Sequence, residues 1–181
     1  DLSQNGDKGK IVFGLSAIRN VGEGLVNLIV EERNENGPFE DFYDFLERCH
    51  TSVLNKRTVE SLIKAGAFDI FGHPRQGLLE VYEELITLTV ARRKEHDMGV
   101  LSLFGDAEGE PVFDERSEIP NVEFEKAQKL TFEKEMLGLY VSDHPLKGYE
   151  NALARKTDSK IIELRELEDG GFFTAGGVVT N

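Results

Sequence analysis

Three short segments hold the residues best suited to chemistry. The first is Ile18-Arg19-Asn20-Val21-Gly22-Glu23-Gly24, set between two apolar-periodic stretches. Glycine has no Cβ and tolerates positive φ, so a turn built from Gly22 and Gly24 lets a ligand approach the backbone closely. A helix starting there points free N–H groups outward, and together with the helix dipole these favour an anion such as a phosphate. A tightly packed helical corner that binds nothing has the same pattern. The second segment is Asn55-Lys56-Arg57-Thr58. Asn55 is a good N-cap. Lys56 and Arg57 then fall in the first helical turn, where the dipole disfavours cations by about 0.3–1 kcal/mol each. That placement suits either an external anion or a solvated basic face. The third segment is Val100-Leu101-Ser102-Leu103-Phe104, an apolar island in an acidic, glycine-flanked stretch. It reads as a linear binding peptide whose Leu101, Leu103 and Phe104 fill a partner's pocket, or as an anchor onto its own domain.

No catalytic constellation accompanies these segments. Asp-x-Asp, the usual two-metal phosphoryl-transfer pair, does not occur, and neither does a P-loop or a G-x-G-x-x-G run. Glu133 and Glu135 stand two apart on a helical stretch, point to different faces and read as solvated. Cys49 and His50 are adjacent, and neighbours on a helix diverge, so they do not read as a dyad. His144, before Pro145, reads as a turn residue. Lys64 and Asp69 would be the only starting point for a nuclease or glycosylase site, and they lack a companion acid. The sequence therefore predicts no catalytic residues, no metal ligands and no cofactor of its own.

The elements that must position these segments are mainly helical. Leu15, Ile18, Val21, Leu25, Leu28 and Ile29 mix spacings of three and four, which predicts a short helix, a tight turn and a second helix through Glu32. Asn34 to Pro38 reads as a turn. Phe39, Phe42, Tyr43, Phe45 and Leu46 predict a short aromatic-rich helix. Val59, Leu62 and Ile63 predict another after Asn55, ending at Gly66 as a C-cap. Residues 75–96 read as one long helix with Leu78, Leu79, Tyr82, Leu85, Ile86 and Val90 inward. Residues 123–140 read as a helix with Phe124, Ala127, Leu130, Met136 and Leu137 inward, and 147–156 as a weaker one. Phe172 to Val179 is rich in Val, Phe and Gly and predicts a β-strand. The resulting organisation is a linker over 1–10, a helical unit over 11–72, a long helix over 73–96, an acidic flexible linker over 97–122, a helical segment over 123–168 and the start of a further domain over 170–181.

Composition narrows the class. The 181 residues are 39% hydrophobic and 30% charged, enough for a real core. No apolar run approaches the length of a membrane span, no secretory h-region opens the chain, and one cysteine cannot form an internal disulfide. A reducing, cytoplasmic setting is the expectation. The formal charge is −13, which argues against nucleic acid. The acidity is uneven, however: residues 1–75 carry a net −3 and residues 76–181 a net −10. A first residue of Asp and an apolar run close to Asn181 read as a piece of a longer protein.

Together the first two segments resemble a tandem helix-hairpin-helix module, a family that grips duplex DNA by its phosphates, largely without reading sequence. Asn20 stands where glycine is common, and asparagine is the residue other than glycine that best tolerates the left-handed conformation. Longer stretches resemble the alpha subunit of bacterial DNA polymerase III. These are FGLSAIRNVGEG (13–24), GPFEDFYDFLER (37–48), LNKRTVESLIKAGAFDIFG (54–72), SLFGD (102–106), FEKEMLGLYVSDHPLKGY (132–149) and FFTAGGVVT (172–180). The resemblance implies a mainly α chain: a tandem helix-hairpin-helix unit plus further helices, with a terminal β-strand that begins an OB-type domain. It implies that Arg19, Asn20, Val21, Gly22, Glu23, Gly24, Asn55, Lys56 and Arg57 contact the DNA backbone. It implies that Val100, Leu101, Ser102, Leu103 and Phe104 dock on the sliding clamp, with Val100 where the clamp motif usually has glutamine. Asp143 stands where the Ser-x-His-Pro-Leu turn commonly has glycine. The parent is then a DNA-directed DNA polymerase, a nucleotidyltransferase whose catalytic aspartates and Mg2+ lie in a palm upstream of this segment. Partners would be duplex DNA, the sliding clamp and the rest of the holoenzyme, with no membrane. Within the family the alternative is an error-prone paralogue without clamp binding. Outside it, the alternative is a purely structural or protein-interaction module.

Overall fold

The computed structural model describes residues 13–97, 117–159, 162 and 170–179. These form six α-helices: α1 Glu23–Asn36, α2 Phe42–Arg48, α3 Lys56–Ala65, α4 Arg75–Asp97, α5 Lys126–Leu137 and α6 Glu150–Lys156. Single 3-10 turns occupy Leu15–Ala17 and Asp69–Phe71. The mainly helical class therefore stands.

Local chemistry sets the helix ends. The Asp41 side chain accepts from the Asp44 amide at 2.7 Å and opens α2. The Asn55 side chain accepts from the Thr58 amide at 2.9 Å and opens α3. Gly66 closes α3 at φ 80°, with its own amide on Ile63 O and the Ala67 amide on Leu62 O, both at 2.9 Å. This is a Schellman ending. Gly138 closes α5 at φ 75°.

Helix α1 runs four residues beyond the expected Glu32. Asn36 donates to Glu32 at 3.0 Å along the last turn, and the helix ends only where Gly37 turns to φ 87°. Asn34 and Glu35 are thus helical rather than turn. Helix α5 is shorter than 123–140 because the chain before Lys126 is extended and Gly138 stops it. Helix α6 starts at Glu150 rather than 147. The first predicted helix is reduced to the 3-10 turn at Leu15–Ala17.

The core lies where α1 to α4 meet. Phe42, Phe45 and Phe68 pack edge-on or stacked, with ring centroids 4.8–6.3 Å apart. Leu46, Val59, Leu62, Ile63, Leu78, Leu85 and Ile86 close around them. Of the apolar face predicted for the long helix, Leu79 is half-buried and Val90 is exposed. On α5, Leu130 and Met136 are buried, whereas Ala127 is exposed. Arg93 on α4 donates to Leu46 O at 2.5 Å and Cys49 O at 2.7 Å. It satisfies carbonyls that the C-terminus of α2 leaves open.

The linker expected over 97–122 ends sooner than its composition suggests. Ser117 O accepts from the Tyr43 hydroxyl at 3.0 Å, and the Ser117 hydroxyl donates to Glu84 at 2.8 Å. The chain then follows α4 back toward its first turn. Ile119 is buried, the Gly77 amide donates to Val122 O at 3.1 Å, and the Gln76 amide donates to Glu123 at 3.4 Å. This segment supplies acceptors for orphan amides of α4. A Cβ on Gly77 would stand 1.9 Å from Pro120 O, so the docking requires glycine there.

Residues 170–179 carry no regular secondary structure. The Asp158 amide donates to Thr174 O at 2.9 Å. A strand exists through its ladder; among the described residues Phe172 to Val179 has no ladder partner, so the predicted terminal strand stands as an expectation. No described helix is long and apolar enough to cross a membrane.

Candidate nucleic-acid interface

The first turn has the conformation that its residue types suggest. Asn20 adopts φ 67°, the only positive φ outside glycine among the described residues. Its side-chain amide donates to the Ser61 hydroxyl at 3.1 Å. Its carbonyl accepts from the Thr58 hydroxyl at 3.5 Å. Ile18 and Val21 bury their side chains beneath the turn. The Arg19 amide donates to Met136 O at 2.9 Å, so the end of α5 also holds the turn. These contacts place the turn at Arg19–Gly24 directly against the first two turns of α3. The two basic segments, 30 residues apart in sequence, are neighbours.

The start of α1 is open. Gly22 is its N-cap and offers no side-chain cap. The amides of Gly22, Glu23 and Gly24 have no acceptor among the described residues. A Cβ on Gly22 or Gly24 would meet nothing within 4 Å, and neither glycine has positive φ. The fold itself therefore does not require glycine at either position. Two glycines there leave bare backbone amides on the surface at a helix N-terminus.

The start of α3 differs. Asn55 satisfies the Thr58 amide, which leaves those of Lys56 and Arg57 without an acceptor among the described residues. Arg19 and Arg57 are exposed, with no ion pair among the described residues. Lys56 is exposed as well, but it meets Glu83 of α4 at 2.5 Å. An internal anion therefore accounts for part of its position against the helix dipole.

The remaining sequence candidates resolve as structure. Glu133 is fully buried, contrary to the expectation that it is solvated, while Glu135 is exposed. Glu133 Oε2 accepts from the amides of Val141 at 2.8 Å and Ser142 at 3.0 Å. Its Oε1 lies 3.0 Å from Arg75, an ion pair without hydrogen-bond alignment. Burial pushes this carboxyl up, but the two amides and Arg75 outweigh burial and hold it below the ordinary range. Arg75, itself buried, also makes a two-pronged contact with Asp69 at 2.6 and 2.8 Å. Lys64 pairs with Glu60 at 2.6 Å and lies over the Phe132 ring. Lys64 and Asp69, the only starting point for a nuclease, are thus held in structural pairs.

Cys49 and His50 are not both helical. Cys49 ends α2 fully buried, and burial pushes its thiol up to about 12. His50 Nδ1 accepts from the Ser52 amide at 3.2 Å in the following turn. His144 Nδ1 accepts from the Leu146 amide at 3.1 Å, as a turn residue does. Asp143 ties Lys126 at 2.9 Å and Lys147 at 3.2 Å. Lys126 and the His144 amide hold its carboxyl down to about 2. Val100 to Phe104 lie outside the described residues.

Comparison with known proteins agrees with this geometry. The family described as "Helix-hairpin-helix motif" matches residues 2–78, which include both turns. The DNA polymerase III subunit alpha of Mycobacterium tuberculosis is 44% identical over 156 residues, or 83% of this chain. The chain is homologous to a segment of the DNA polymerase III alpha subunit. Its counterparts in Pseudomonas aeruginosa and Thermus aquaticus are 38% and 44% identical, over 97% and 87% of this chain. The chain spans 12–16% of the length of these alpha subunits, so it corresponds to one segment of a long polymerase subunit.

Proposed function

We propose that this segment of the alpha subunit grips duplex DNA by its phosphates, without reading sequence, as the non-catalytic part of a DNA-directed DNA polymerase. The observation that carries the reading is the pair of turns held together by Asn20, Thr58 and Ser61. They present the open amides of Gly22, Glu23 and Gly24 beside those of Lys56 and Arg57, with Arg19 and Arg57 exposed nearby. Backbone amides and cations fix position on phosphates and carry no base information. The relatives' name supports the polymerase context.

The described residues do not fit a catalytic metal. No three metal-ligating side chains cluster among them, and the buried carboxylate Glu133 is already taken by Arg75 and two amides. We place the parent's Mg2+ chemistry in another part of the subunit and derive no step through it. The reading also includes a soluble, cytoplasmic setting and docking of residues 100–104 on the sliding clamp.

Fluorescence anisotropy with two labelled duplexes of unrelated sequence tests the grip. The expected result is equal affinity for both, falling as salt rises, and lowered alike for both by Arg57→Glu. Binding to only one duplex, or none at low salt, would overturn it. For the clamp, a labelled peptide spanning residues 96–108 is titrated with sliding clamp. Binding that is lost in the Leu103→Ala, Phe104→Ala peptide is expected. No binding by either peptide moves the assignment to a paralogue without clamp docking.

A further inference from the structure

Among the described residues Lys56 is the one cation of the paired turns with an anion, and the way that anion is held is informative. Glu83 reaches it from the third turn of α4. One carboxylate oxygen takes the Lys56 ammonium at 2.5 Å, and the other accepts from the Tyr82 hydroxyl at 3.1 Å. Both oxygens are thus fixed in place. Yet both side chains are more than half exposed, and an exposed pair of this kind contributes little to folding. The pair has little to do for stability, while it places a carboxylate at the open start of α3. Glu60, the other carboxylate near Tyr82, is taken by Lys64 at 2.6 Å.

We propose that Glu83 sets the strength of the DNA grip by competing with a phosphate for Lys56. This rests on the phosphate-grip reading and adds the residue that limits it. A phosphate approaching Lys56 must displace a tethered carboxylate and meets its repulsion. The Lys56 contact is therefore made at reduced strength, and the grip as a whole is weak enough to release and re-form along the backbone.

The test is a double-mutant cycle on the whole chain, read by anisotropy with a labelled duplex at several salt concentrations. Glu83→Gln keeps the helix and removes the charge. It should tighten binding about two- to fivefold, the range an exposed charge pair carries, and steepen the slope of log K against log salt by about 0.9 as one more phosphate is neutralised. Glu35→Gln removes the same charge from the far end of α1, about 18 Å from its first turn, and should change affinity far less. In a Lys56→Met background, Glu83→Gln should lose most of its effect. If wild-type chain binds duplex and Arg57→Glu weakens it, but Glu83→Gln equals wild type or Glu35→Gln, the competition is wrong and the grip stands. If wild-type chain binds no duplex at low salt and Glu83→Gln does not either, the underlying grip fails as well.

Discussion

Asn20 and Gly24 occupy the same turn and make opposite demands on substitution. Asn20 sits in the left-handed region at φ 67°, where a β-branched side chain is strained. Asn20→Val should cost about 1–2 kcal/mol plus its bond to Ser61, measured by urea denaturation, whereas Asn20→Gly should lose little beyond that bond. Gly24 is helical, with open space at its Cβ position. Gly24→Ala should therefore stabilise the chain by about 0.4–1 kcal/mol. The same methyl would stand over the amides that face the phosphate, so duplex affinity should fall. A stability gain paired with a binding loss is what separates a contact surface from a packed corner. Asn20, Asn55 and Gly66 were legible in sequence because their roles are local: a left-handed turn, a cap and a Schellman ending are decided by a few adjacent residues. Glu133 was not, because its partners Arg75, Val141 and Ser142 come together only on folding, and nothing in its local sequence separates it from Glu135. Glu133→Ala should cost about 1–3 kcal/mol by leaving the Val141 and Ser142 amides without their acceptor, while Arg75 keeps Asp69. Glu135→Ala should stay within about 0.5 kcal/mol.

At the scale of elements, α4 organises the molecule. It carries Arg93 to the end of α2, Arg75 to Asp69 and Glu133, Glu83 to Lys56, and Gly77 to the returning chain at Pro120. Gly77→Ala tests the last of these. Alanine is the better helix former by about 1 kcal/mol, yet its Cβ would collide with Pro120 O. The variant should be destabilised by about 1–3 kcal/mol through overpacking, and limited proteolysis should cut earlier near Ser117. The long helix itself was legible from its period. The docking of residues 117–122 was not, because prolines, glycines and carboxylates look the same whether a segment is solvated or laid along a helix. Only the Val122 carbonyl and the Glu123 carboxylate, which accept from the Gly77 and Gln76 amides, distinguish the two, and side-chain patterning does not show where they land. The early end of α5 at Gly138 has a similar cause: the apolar period continues through Leu139 and Tyr140, while the backbone has already turned at φ 75°.

For the molecule as a whole, charge governs both stability and binding. Glu83, Glu123, Glu133 and Asp143 all have carboxyls held below their ordinary values. A depressed folded-state value means stability that is present above the unfolded value and lost as protons bind. The melting temperature should therefore hold steady down to about pH 5 and fall as pH drops below the ordinary 4.5 of the glutamates. The loss from Asp143 should continue toward its value of about 2. Thermal scans from pH 7 to pH 3 check this, and Glu133→Gln should flatten the upper part of the fall. The net charge of −13 works against DNA everywhere except at the paired turns. Binding should be weak, visible at low salt and lost as salt rises, with a shallow slope of log K against log salt if only a few phosphates are contacted. Sequence composition made the overall acidity plain. That the basic turns face one way, side by side, followed only from Asn20 meeting Thr58 and Ser61.

The most direct measurement of the phosphate grip is a 15N-1H correlation spectrum of the chain titrated with a short duplex at low salt. The account predicts that the amide signals of Gly22, Glu23, Gly24, Lys56 and Arg57 shift first and together, equally for duplexes of unrelated sequence, and return on adding salt. Shifts confined to other surfaces, or a spectrum unchanged by duplex, would contradict it.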